Sequence, residues 1–145
     1  QAGLSKKSVS QMMSKFPLTI GPSKSLCELE KLVISNHCVN FVPVEEDDQL
    51  LGYVDSRVLH EIDRENWSST AVNDVLVSLR PEDYTTLATS AERVLDQLLQ
   101  SDRGRLMVVQ KHRLVGVISV FDFVDYVRVL RQINSELSLP EKGGF

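Results

Sequence analysis

The residue types that most often carry chemistry are few in this chain, and their spacing argues against most reactions. His60-Glu61-Ile62-Asp63-Arg64 begins like the helical zinc motif His-Glu-x-x-His, in which two histidines one turn apart hold the metal and the glutamate acts as base. The fifth position is Arg64, which is no ligand of that motif, so a metalloprotease centre is not expected here. His37 and Cys38 are adjacent, but no matching pair stands at metal-ligand spacing. A buried cysteine at the mouth of a strand is the plainer reading. The run Glu45-Glu46-Asp47-Asp48 could attract a cation, yet it lacks the alternation and the glycine of a calcium loop and reads as a solvated turn. The histidines at 37, 60 and 112 have no nucleophile brought to them by motif. Cys27 and Cys38 form no Cys-x-x-Cys pair, so reduced thiols are the expectation. The chain reads as no enzyme in itself.

The chain does contain a repeat. Asn40 to Gly52 (NFVPVEEDDQLLG) aligns without a gap on Gly104 to Gly116 (GRLMVVQKHRLVG), 64 residues further on. Val44 falls on Val108, Leu50 on Leu114 and Gly52 on Gly116. Both segments run from a short apolar stretch through a polar turn to a second apolar stretch, the grammar of a β-hairpin. Neither turn carries Asn-Gly or Asp-Gly, so its type stays open.

Helical patterns flank each hairpin. Upstream, Leu26, Leu29, Leu32 and Val33 make one apolar stripe, and Ala91, Val94, Leu95, Leu98 and Leu99 a fuller one. Ser25 with Glu28 three residues on is a capping-box pattern, and Thr89 or Ser90 is the expected cap of the later helix. Short extended stretches, Leu18 to Ile20 and Tyr84 to Ala88, precede these helices. Ser56 to Ile62 and Phe121 to about Ile133 follow the hairpins as further helices. The fold class is α/β (α+β), with two β-α-β-β-α repeats forming a pseudo-symmetric pair. The expected organisation is residues 1–8 as lead-in or remnant, 9–62 as repeat 1, 63–71 as linker, 72–133 as repeat 2 and 134–145 as a flexible tail. Trp67 in the polar linker reads as packing a repeat boundary.

The 145 residues, 42% hydrophobic and 25% charged, suit an ordinary globular chain with a buried core. The net charge of -4 argues against a nucleic-acid partner. No apolar run approaches the roughly 20 residues that span a bilayer, and no signal peptide is visible. The opening Gln1-Ala2-Gly3 suggests a fragment of a longer protein.

Two such units in tandem, with a Pro-Val strand and a Leu-Val-Gly turn, resemble the CBS domain family over about residues 9 to 133. Val9 to Met13 looks like the lead-in before the first repeat and Val72 to Leu76 like that before the second. The family's ligand signature, Gly-x-x-Ser/Thr-x-x-Asp, matches once, at Gly116, Ser119 and Asp122. The resemblance implies that this turn binds the ribose of an adenosine nucleotide (AMP, ADP or ATP). Gly116 would let the ligand near the backbone, Ser119 would cap the next helix and offer its hydroxyl, and Asp122 would accept both ribose hydroxyls. The same two polar residues would serve equally as a helix cap and a solvated acidic first turn. The resemblance further implies adenine beside Tyr84, Thr85, Thr86 and Leu87, and phosphate facing Arg105, with Arg103 a second candidate. Met107 replaces the family's usual proline. In the first repeat Asp55 and Val58 replace the Ser/Thr and Asp, so that site is expected to be degenerate.

A narrower resemblance concerns the linker. Arg64-Glu65-Asn66-Trp67 and Thr70-Ala71-Val72 are similar to the segment between CBS repeats at the C-terminus of site-2-type intramembrane zinc metalloproteases. It implies a cytoplasmic regulatory module attached to a membrane-embedded parent, with the parent's catalytic domain as a partner. The family also implies a homodimer through the CBS helices, for which the apolar closing helix has the surface. A ligand-free dimerisation and interaction module is the alternative to a nucleotide sensor.

Overall fold

In the computed structural model, residues 9–36 and 40–142 are described. His37 and Cys38 lie outside them. The first repeat holds helix α1 (Leu26–Ser35), strands β1 (Phe41–Glu46) and β2 (Gln49–Asp55), and the short helix α2 (Val58–Glu61). A 3-10 turn at Arg64–Ser69 leads to helix α3 (Val72–Val75) and strand β3 (Val77–Ser78). The second repeat holds β4 (Tyr84–Thr86), α4 (Ala91–Gln100), β5 (Arg105–Gln110), β6 (Arg113–Ser119) and α5 (Val120–Lys142).

Local chemistry explains the helix starts. The Ser25 hydroxyl accepts from the Glu28 amide at 3.3 Å while Glu28 Oε1 accepts from the Ser25 amide at 3.4 Å. These two bonds satisfy donors that the first turn leaves unpaired. Ser90, rather than Thr89, caps α4 by accepting from the Arg93 amide. Two sequence expectations come out shorter. Leu18 to Ile20 contributes only a parallel bridge from Ile20 to Val44, and the helix after the first hairpin is confined to Val58–Glu61. One comes out longer, since α5 continues past Ile133 to Lys142.

The sheets are β1-β2-β3 and β4-β5-β6. Each hairpin is antiparallel and carries its register shift at the matching place, after Val44 and after Val108. The open question of turn type is resolved by the backbone. Asp47 and Asp48, and likewise Lys111 and His112, all have positive φ, which is the type I′ arrangement. Its right-handed twist suits the strands despite the lack of glycine. Met107 does not disturb the backbone it enters: β5 runs unbroken, and Met107 pairs with both Tyr84 and Val117.

The lead-in segments are exchanged between the repeats. Ser14, ahead of repeat 1, bridges Val117 in repeat 2 through bonds of 2.8 and 3.1 Å, and Val9 and Met12 enter the repeat 2 core with Leu98, Leu106 and Phe123. Reciprocally, β3 pairs with β2, and Trp67 and Val72 enter the repeat 1 core with Leu26, Leu29 and Val54. The Trp67 indole N–H donates to the Ile62 carbonyl at 2.8 Å, and Arg64 lies over its ring. A third cluster, Phe41, Tyr53 and Met107, joins the two units, and the Leu50 amide donates to the His112 carbonyl across the same boundary.

Candidate functional site

Ser119 and Asp122 stand where β6 becomes α5. The Asp122 carboxylate (Oδ2) accepts from the Ser119 amide at 2.7 Å, and the Ser119 hydroxyl accepts from the Asp122 amide at 3.4 Å. This is a capping box, so both residues do serve the helix. Asp122 Oδ1 makes no hydrogen bond among the described residues. Burial pushes the Asp122 carboxyl above its ordinary range; the Ser119 bonds and, more weakly, the Arg105 charge pull the other way. Arg105 opens β5 directly opposite Ser119 in the hairpin register and forms no ion pair among the described residues.

These three residues share one cavity of about 180 Å³ with Ser14, Pro17, Leu18, Phe41, Pro43 and Val117. Its polar side comes from repeat 2. Much of its apolar side comes from repeat 1 and the segment leading into it. A half-buried hydroxyl, a carboxylate and an unpaired guanidinium stand here beside apolar side chains, a set of groups able to pair with hydroxyls and with negative charge.

Tyr84, Thr85 and Thr86 are not part of this cavity, contrary to the expectation from sequence. They line a separate cleft with Pro81, Thr89, Ser90 and Arg93. The physical reason is the exchange of lead-ins. Ser14 is bonded to Val117 of β6 and Pro17 and Leu18 line the cavity, so the chain entering repeat 1 takes the place expected of the chain entering repeat 2. Phe41, Pro43, Pro17 and Leu18 were therefore missed. The usable signal was Gly116. A Cβ there would lie 2.5 Å from Met13 Sδ and 2.8 Å from the Ser14 carbonyl, so its smallness admits the crossing backbone rather than a ligand. Gly52 meets the Val77 carbonyl in the same way.

Arg103 is likewise committed elsewhere. Its guanidinium donates to Asp55 Oδ2 at 3.0 Å and lies 4.6 Å from the Tyr53 ring centroid. Asp55, the counterpart of Ser119, also accepts from Arg57 Nε, Nη2 and backbone N–H. Val58 stands in place of the second acid, and Asp55 is committed to Arg57 and Arg103, in a first-repeat cleft of about 850 Å³. Among the described residues no cluster of three or more His, Cys, Asp or Glu could hold a metal, and no helix is long and apolar enough to cross a membrane.

Two α+β units with exchanged lead-ins and facing sheets define a paired-repeat module. The CBS domain family matches the chain twice, over residues 9–62 and 72–129, and the chain belongs to that family. It is 29% identical over 126 residues to inosine-5'-monophosphate dehydrogenase of Bifidobacterium longum. That match covers 86% of this chain and 23% of the enzyme, so the chain spans about a quarter of that relative. Among solved structures, CBSX2 in complex with AMP (CBSX2 is a CBS-pair protein of Arabidopsis thaliana) superposes with a TM-score of 0.72 at 22% identity, covering 86% of this chain and 98% of that one. The CBS domain of a bacterial CNNM/CorC family Mg2+ transporter in complex with ATP gives 0.69 at 18% identity, covering 86% and 89%. At these identities the likeness is one of fold.

Proposed function

We propose that this chain is a regulatory module that binds an adenosine nucleotide between its repeats, in the cavity of Ser119, Asp122 and Arg105. The observation that carries the reading is the meeting of two unlike walls. Repeat 2 presents a hydroxyl, a carboxylate with one uncommitted oxygen and an unpaired arginine, while Leu18, Phe41 and Pro43 present an apolar face. Asp122 accepts from the ribose hydroxyls, the base lies against the apolar face, and Arg105 supplies positive charge for phosphate. The AMP and ATP complexes of two structural neighbours support the choice of ligand class. The ligand touches both repeats, so its affinity depends on their relative orientation, and that difference is what couples binding to a response.

In this reading the module serves a longer, cytosol-facing parent. The linker Arg64 to Trp67 favours a site-2-type membrane metalloprotease, whereas the comparisons offer a dehydrogenase and a transporter family as other settings. Titration calorimetry with AMP, ADP and ATP tests the binding. Wild type takes up at least one of them and Asp122→Ala takes up none. Equal heats from both proteins, or none from wild type, overturn the reading.

A second reading, self-association through α5 without a ligand, has its own support. Phe121 is 77% exposed, and Val124, Val129 and Ile133 are also exposed on that helix. Sedimentation of Phe121→Glu beside wild type distinguishes a dimer made by this face from a monomer.

A further inference from the structure

Phe16 is the most exposed large apolar side chain among the described residues, at 97%, and its backbone is left-handed with φ 55°. Bulky side chains rarely take that conformation, and where they do the surrounding chain enforces it. The enforcement is visible here. Two residues earlier Ser14 is bonded to Val117, and four residues later Ile20 is bonded to Pro43 and Glu45. Between these anchors the chain turns sharply and holds an aromatic ring in water, next to Pro17 and near Ser14, both of which line the Asp122 cavity.

The internal repeat shows what this loop does in the other half. Ser14 faces Val117 as Val77 faces Tyr53, and Ile20 bridges Val44 as Thr85 pairs with Val108, so the loop of residues 15–19 corresponds to residues 78–84. Arg80 lines the first-repeat cleft together with Tyr53 and Asp55, the counterparts of Val117 and Ser119. Pro17 likewise lines the second-repeat cavity, so this loop borders its cleft in both halves. In repeat 1 the loop carries a cation already paired with Asp83; in repeat 2 it carries an exposed aromatic ring.

We infer that Phe16 is a specificity-determining residue of the second-repeat site, folding over the cavity mouth to stack on the base of the bound ligand. The opposite face of the base meets Leu18, Phe41 and Pro43. The ring's apolar surface leaves water only when a flat partner is present, so its contribution is realised in the complex alone. The inference rests on the nucleotide reading above and names the part of the ligand that Phe16 recognises.

Calorimetric titration of the full chain with AMP and with ATP tests it, using wild type, Phe16→Leu and Phe16→Tyr. Phe16→Leu weakens the affinity about tenfold, the scale of one base–aromatic stack, and Phe16→Tyr restores it. All three proteins melt together, because a side chain this exposed holds no packing. An affinity in Phe16→Leu within twofold of wild type overturns the inference, as does an equal loss in Phe16→Tyr. Those results leave the nucleotide reading standing, whereas a wild type that binds none of AMP, ADP and ATP removes both.

Discussion

Arg103 reaches from the loop before β5 in one repeat to Asp55 at the end of β2 in the other, with Nη2 donating to Oδ2 at 3.0 Å. Both side chains are largely shielded, at 23% and 15% exposed, and the guanidinium also rests on the Tyr53 ring. Removing it breaks a charged hydrogen bond at the boundary between the units. Arg103→Ala is expected to lower stability by about 1.5–3 kcal/mol, read from urea denaturation. A loss within error of zero would show that the Arg57 pair alone satisfies Asp55.

The same pair predicts an acid limb. Burial alone would raise the Asp55 carboxyl, but hydrogen bonds from Arg57 and Arg103 outweigh it and hold the group below its ordinary value. A carboxyl depressed in the folded state gives stability that is complete above its unfolded value and is lost as pH falls below about 4. Melting temperatures from pH 5 to pH 3 should fall less steeply in Asp55→Asn than in wild type. Parallel slopes would sink the assignment.

Asp122 has the opposite sign. Its folded carboxyl is raised by burial, so the stability it contributes is present at low pH and is lost as pH rises through its folded value. At neutral pH the ligand-free chain carries a partly desolvated charge. Asp122→Asn keeps an acceptor for the Ser119 amide, so it should melt no lower than wild type at pH 7 while losing nucleotide. A variant that is both less stable and still binding would reverse the reading of this residue from ligand group to cap.

Thr85 tests the part of the sequence-based site that lies outside the Asp122 cavity. It is 3% exposed in β4, and its hydroxyl has no partner among the described residues. An unpaired buried hydroxyl costs free energy that an isosteric methyl does not. Thr85→Val should gain about 1 kcal/mol and leave nucleotide affinity unchanged. A weakened affinity would return Thr85 to the binding site.

Gly116 is expected to tolerate no side chain, for reasons of packing. Gly116→Ala drives a methyl into Met13 and the Ser14 carbonyl. Overpacking of this kind costs about 1–3 kcal/mol. Hydrogen exchange should show the Ser14 and Val117 amides losing protection first. If protection is lost uniformly, the contact is no local weak point.

What could be read from the sequence was what is written locally. The hairpins, the Ser25–Glu28 box, the apolar stripes of α1 and α4 and the pairing of the two halves all follow from short-range pattern. That Ser119, Asp122 and Arg105 come together was also within reach, since the hairpin pairs Arg105 with Ser119 and the next helical turn carries Asp122. Tyr84 to Thr86 fall outside the Asp122 cavity because repeat alignment matches positions within units and is silent about which unit a connecting segment joins. The side chains that complete the cavity, Pro17, Leu18, Phe41 and Pro43, come from across that boundary, and only tertiary structure brings them in. The length of α5 was underestimated because the polar stretch from residue 134 on reads as a tail.

The exchange of lead-ins has a bearing on how such a chain can be cut or inherited. A break between residues 63 and 71 would yield two pieces, each lacking the strand or core residues its sheet receives from the other's flank. Neither half is a transplantable part, and a duplicated or shuffled gene segment would have to carry both together. A circular permutant that joins the two ends and opens the linker faces a milder demand, since it keeps both crossings in one molecule. The smallest portable unit is the pair together with the stretch from Val9 onward.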